Sequence, residues 1–128
     1  MSDLDNFTQP EQEEISIKEQ LVEVESDIER VNKALTAYES LKKLQDNDEY
    51  KLIFDEMYFK EEVERVSNAL TEPTYLKRDQ LQNLSDVLDN IRGLKMFMKN
   101  IQINGDFAKG NLEELENLKI ELKRAEHE

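Results

Sequence analysis

Residues 17–38 read IKEQLVEVESDIERVNKALTAY, and the spacing of their apolar positions decides the fold. Ile17, Leu21, Val24, Ile28, Val31, Leu35 and Tyr38 follow one another at alternating steps of four and three. That alternation is a heptad repeat, with Leu21, Ile28 and Leu35 at a and Ile17, Val24, Val31 and Tyr38 at d. An apolar stripe two positions wide in seven is too narrow for the core of a compact globule and fits a partner helix. The stretch therefore predicts a coiled-coil helix, and its seven residues are the candidate oligomerisation seam. Leu and Ile at a with β-branched residues at d lean toward a trimer or tetramer, and no Asn or Lys on the seam fixes a register. Two partners remain open for it, a second copy or the later helices of the same chain.

Upstream, two capping boxes compete for the helix start. Thr8-Gln9-Pro10-Glu11 puts a Pro in the first turn and a cluster of acids near the positive helix end, and Ser16-Ile17-Lys18-Glu19 offers the same pattern later. The early start is favoured, which gives a flexible arm over 1–8, a coiled-coil helix over 9–45 and a helical bundle over 46–128. Downstream, Lys42 and Gln45 take the next heptad positions and end the seam, while Leu41 and Leu44 carry the apolar stripe round the helix. Asp46-Asn47-Asp48 supplies turn and N-cap chemistry for a second helix, about 49–70. Thr71-Glu72-Pro73-Thr74 ends it, because Pro73 lacks an N–H donor and pushes Glu72 out of helical geometry.

A third helix follows with Leu81, Leu84, Leu88, Ile91, Leu94, Met98 and Ile101 on one stripe. Asn104-Gly105 reads as its stop, since both residues tolerate the left-handed conformation. Phe107 is then expected to dock a turn, and Leu112, Leu115, Leu118 and Leu122 to line a fourth helix. The alternative is one helix that continues through Gly105 and Gly110, at about 1 kcal/mol for each Gly. The fold class on either reading is all-α, a long N-terminal coiled-coil helix plus an antiparallel helical bundle or hairpin.

Composition agrees. Charged residues make up 37 % of the 128, and Gly and Pro together number five. Thirty acids against 17 bases give a net charge of −13, which disfavours binding to nucleic-acid phosphates and to anionic membranes. The chain has no cysteine, so disulfides and Cys–zinc sites are excluded. No apolar run approaches the roughly 20 residues that span a bilayer, and the first residues have neither the basic nor the apolar region of a secretory signal. The chain is expected in the cytoplasm, where it is made.

Chemistry-bearing motifs are scarce. The single histidine, His127, is next to last, and no nucleophile–base pair, phosphate loop or calcium loop can be built around the residues present. No catalytic residue, cofactor or metal is expected. Two surfaces stand out instead. Tyr50, Phe54 and Tyr58 recur at i, i+4 and i+8 on one side of the second helix, and with Phe59, on the α-helical period facing away from them, they form a candidate partner surface. Arg92, Lys95 and Lys99 share a face of the third helix and form a candidate basic contact.

The stretch DEYKLIFDEMYFKEEVERVSNALTEP and the following LSDVLDNIRGLKMFMKNIQINGDFAKGNLEEL resemble a set of small helical proteins encoded in tailed-bacteriophage genomes. Leu52, Ile53, Tyr58, Phe59, Glu62, Arg65, Pro73, Ile91, Ile101 and Gly105 carry the resemblance, which covers about residues 48–118. These are core and turn positions, so the resemblance implies a phage origin and a role in the virion or its assembly, and brings no active-site residues.

The function expected from all this is a non-enzymatic structural or assembly protein. It would work by helix-mediated oligomerisation and contacts with itself and with another virion or host protein, and could be built into the virion. The alternative is an acidic mimic of nucleic acid that inhibits a host DNA-binding protein. A holder of unfolded chains ranks behind both.

Overall fold

A computed structural model describes residues 16–72 and 77–128. The chain is all-α, with no strand among the described residues. Three helical stretches follow one another: α1 (Ile17–Asp46), α2 (48–70) and α3 (Arg78–His127). The expected arm, the Thr8–Glu11 box and Pro73 lie outside the described residues.

The start of α1 is set by the later box. The Ser16 Oγ accepts from the Glu19 N–H at 3.1 Å, satisfying one of the unpaired donors of the first turn. The start of α2 follows the same rule. Asn47 has an extended backbone, and its side-chain oxygen accepts from the Tyr50 N–H at 3.0 Å. At the other end of α2 the Thr71 hydroxyl donates to the Asn68 carbonyl at 2.7 Å and takes up a terminal acceptor.

α2 is not a plain α-helix. Its middle, Lys51–Glu61, is wound as a π-helix between a short α turn, Asp48–Tyr50, and an α segment, Glu62–Leu70. The Glu62 N–H closes the stretch on the Met57 carbonyl, five residues back. Windings of this kind are rare and recur at functional sites.

The third helix corrects the expected break at Asn104-Gly105. α3 runs unbroken for 50 residues through Gly93, Gly105 and Gly110, and no described residue has a positive φ. The reason lies in its buried face. From Ile91 the covered positions are Leu94, Met98, Ile101, Gly105, Ala108, Leu112, Leu115, Lys119 and Leu122, at steps of three and four without a slip. A stop at Gly105 would discard the packing of everything after it, whereas each Gly costs a helix only about 1 kcal/mol. With no turn to dock, Phe107 stands 68 % exposed, and Leu118 lies off the covered face while Lys119 lies on it.

The long N-terminal helix packs against the C-terminal one. The chain forms two compact units. Among the described residues, one unit comprises 16–35 and 105–128. There Leu21 and Val24 are buried, Ile17, Ile28, Val31 and Leu35 are half-buried, and Lys119 reaches Glu25 at 3.5 Å. The other comprises 36–104, with Leu41, Tyr50, Val66 and Ile91 at its core. There the Gln102 amide donates to Gln45 Oε1 at 3.4 Å, and Tyr38 is half-buried. The seam of α1 therefore takes the second of its two open partners, the chain's own later helix.

Candidate functional site

The aromatic residues of α2 gather into one cluster. Tyr50 and Phe54 stack with ring centroids 4.8 Å apart, Phe54 meets Tyr58 edge-on at 6.2 Å, and Phe59 lies 6.2 Å from Phe54 and 5.4 Å from Tyr58. Offset and edge-to-face geometries of this kind suit the ring quadrupole. Phe59 joining the cluster is a correction. On an α-helix nine residues separate Tyr50 from Phe59 by half a turn, so the two rings point apart. A π-helix holds about 4.4 residues a turn rather than 3.6, and nine residues then return almost to the same side. The π winding thus puts all four rings on one face and turns Leu52, Ile53 and Met57 to solvent, at 58, 53 and 50 % exposure.

Tyr50 is the anchor of the cluster. It is buried, and its hydroxyl donates to Met98 Sδ on α3 at 2.9 Å. Burial holds its phenol above the ordinary value and Asp55 adds to the effect, while a hydrogen bond with Gln45 offsets part of it. Further along α2, Arg65 donates from Nε to Glu62 Oε2 at 3.1 Å and from Nη2 to the other carboxylate oxygen. This charge-assisted pair holds the Glu62 carboxyl below its usual range.

Beside the cluster lies an apolar cleft of about 340 Å³ within the 36–104 unit, walled by all three helices. α1 contributes Ala37, Ser40, Leu41 and Leu44, α2 contributes Tyr50 and Phe54, and α3 contributes Leu94, Phe97, Met98 and Ile101. Leu44 and Phe97 are 52 and 62 % exposed. The Ser40 and Tyr50 hydroxyls are its only side-chain polar groups, and that of Tyr50 is already given to Met98.

Arg92, Lys95 and Lys99 lie on the unbroken α3. Arg92 lies 4.0 Å from Asp89 one turn back, and the Lys95 ammonium stands 5.3 Å from the centroid of the Phe59 ring, a cation–π contact that couples α3 to α2. Lys99 is exposed. Among the described residues no three His, Asp or Glu side chains come together in a way that could hold a metal ion, and no helix is long and apolar enough to cross a membrane.

Comparison with protein-family models, with curated proteins and with solved structures finds no match for this chain.

Sequence reasoning named the four rings and missed the cleft. Its α1 wall was in view as the Leu41–Leu44 shift of the stripe. The α3 wall carried a signal too, because Phe97 sits one residue off the heptad frame of Leu94, Met98 and Ile101. What joined them was the crossing of α2, which no spacing within one helix encodes.

Proposed function

We propose that this protein is a non-enzymatic structural or assembly component that docks other protein through residues 36–104. The observation that carries this reading is the apolar cleft with bare Leu44 and Phe97 on its walls, together with the exposed row Leu52, Ile53 and Met57 on the opposite side of α2. Exposed apolar surface grouped in this way marks contact sites on soluble proteins. A cleft without converging polar groups has little with which to orient a small substrate, and suits apolar side chains. The heptad-spaced packing of α1 on α3 is read as a coiled-coil scaffold that holds the cleft open. The resemblance of residues 48–118 to small phage helical proteins supports a role in virion assembly.

The test is absolute molar mass by light scattering over a concentration series, alone and with candidate virion components. Self-association, or a stoichiometric complex, is the expected result. A monomer that binds none of the virion components at any concentration would sink the reading.

A second reading has one observation in its favour. Residues 1–35 and 105–128 hold 17 acids against 7 bases, so the acid excess is concentrated outside the docking unit. A nucleic-acid mimic would bind a basic DNA-handling protein through that excess and lose it in half-molar salt (about 0.5 M), where the screening length falls to a few ångströms. Binding that survives such salt would exclude the mimic.

A further inference from the structure

The one continuous helix α3 carries a second apolar stripe on the side away from its covered face. At about 100° per residue, Met96, Ile103 and Phe107 fall within about 40° of one another, with Leu118 at the edge of the same stripe. All four side chains are exposed, and none of them lines the cleft. We infer that this stripe is the contact face of an antiparallel α3–α3 dimer, its occupant being the same stripe of a second copy of this chain. The joint is separate from the cleft and goes beyond the docking reading above.

Charge names both the occupant and its direction. Residues 92–104 hold three bases, Arg92, Lys95 and Lys99, and no acid. Residues 106–118 hold four acids, Asp106, Glu113, Glu114 and Glu116, and one base, Lys109. An antiparallel pair with its two-fold axis level with Gly105 lays the basic stretch of each copy along the acidic stretch of the other. A parallel pair in register lays like charge on like, which is repulsive. Arg92 and Lys99 border the stripe along one edge and are exposed. In the antiparallel pair Lys99 comes within one helical turn of Glu113 and Glu114 of the other copy, and Phe107 of each copy packs on Ile103 of the other. A single face serves both copies, as a two-fold interface requires.

The size of the contact sets its strength. Residues 92–118 span about 40 Å of helix. A strip of that length and about 10 Å wide on each copy covers on the order of 800 Å² in total, the size of a transient contact rather than a permanent one. Phe107 is the most exposed of the four apolar side chains and so has the most to gain from being covered. The net charge of −13 on each copy opposes association, which keeps the dimer weak and makes the local match of opposite charges decide its direction.

Sedimentation equilibrium of the full chain is expected to show monomer and dimer in exchange at submillimolar concentration. Phe107→Glu is expected to raise the dissociation constant at least about tenfold, with circular dichroism unchanged because the side chain is exposed in the monomer. Lys99→Glu and Glu114→Lys are each expected to weaken the dimer, although the second makes the chain less negative and would strengthen it if net charge alone mattered. Mixing these two variants is expected to restore dimerisation, because the antiparallel heterodimer then has one natural and one exchanged pair of opposite charges. A chain that stays monomeric at submillimolar concentration, a dimer that Phe107→Glu leaves intact, or a mixture that dimerises no better than its components overturns the joint. Each of these outcomes leaves the assembly reading standing, which falls only if the chain is monomeric and also binds none of the virion components.

Discussion

The Tyr50 hydroxyl donates to Met98 Sδ at 2.9 Å, tying the first turn of α2 to the middle of α3 across 48 residues of sequence. The same ring stacks on Phe54 and forms part of the cleft wall, so one side chain sets both the seating of α2 and the shape of the site.

Tyr50→Phe keeps the ring and removes the donor. The expected loss is about 1 kcal/mol, read from urea unfolding. The pH dependence separates this from general repacking. The folded-state pKa of Tyr50 is raised above the ordinary 10.0, so the folded protein holds its proton more firmly than the unfolded chain. Its contribution is complete below pH 10.0 and is lost as pH rises through the raised value. The variant should flatten this alkaline limb, and an identical limb in both proteins would refute the assignment.

Gly93 and Gly110 lie inside α3 with nothing within 4 Å of where a Cβ would stand. Neither has a positive φ, so Ala fits both positions without strain. Each Gly→Ala change should stabilise the protein by about 0.5–1 kcal/mol, through helix propensity and a less free unfolded chain. Chemical denaturation of the single and double variants checks this, and additivity is expected because the sites are 17 residues apart on one helix.

Val66 is the only large side chain among the described residues with no exposed surface. Val66→Ala should cost about 2 kcal/mol, from lost transfer energy and the cavity left behind. Val22 is 68 % exposed, and the same truncation there should stay within about 0.5 kcal/mol. Equal effects at the two positions would contradict the burial pattern.

Lys119 occupies a covered position of the α3 stripe and reaches Glu25 at 3.5 Å, with 32 % of its side chain exposed and 53 % of that of Glu25. A pair this open contributes little, so Glu25→Ala should change stability by less than about 1 kcal/mol. Lys119→Leu replaces a charge with the apolar residue the spacing calls for, and should raise the thermal midpoint. A fall would show that the ion pair outweighs the packing.

The sequence by itself determined the all-α class and the cap of α2, and offered Ser16 as the second of two starts for α1. The four–three spacing from Ile17 to Tyr38 gave α1, and Ser16 and Asn47 are caps because a short side-chain oxygen just ahead of a helical run has free N–H groups to bind. These are interactions over three or four residues, and local spacing contains them. Gly105 and Ala108 stand at the limit of that legibility. They lie on the buried stripe of α3, and only the frame carried forward from Ile101 reveals them, since small residues give no hydrophobic signal. The tertiary structure decided the rest. It gave the α1 seam to the chain's own α3, because a heptad stripe is equally satisfied by any complementary helix. It kept α3 continuous, because packing beyond Gly105 outweighs the preference of Asn-Gly for a stop. It wound Lys51–Glu61 wider than an α-helix, bringing Phe59 to the other rings and Leu52, Ile53 and Met57 to the surface. The cleft arises from that crossing of three helices, a relation among residues far apart in the chain that no period along a single helix can record.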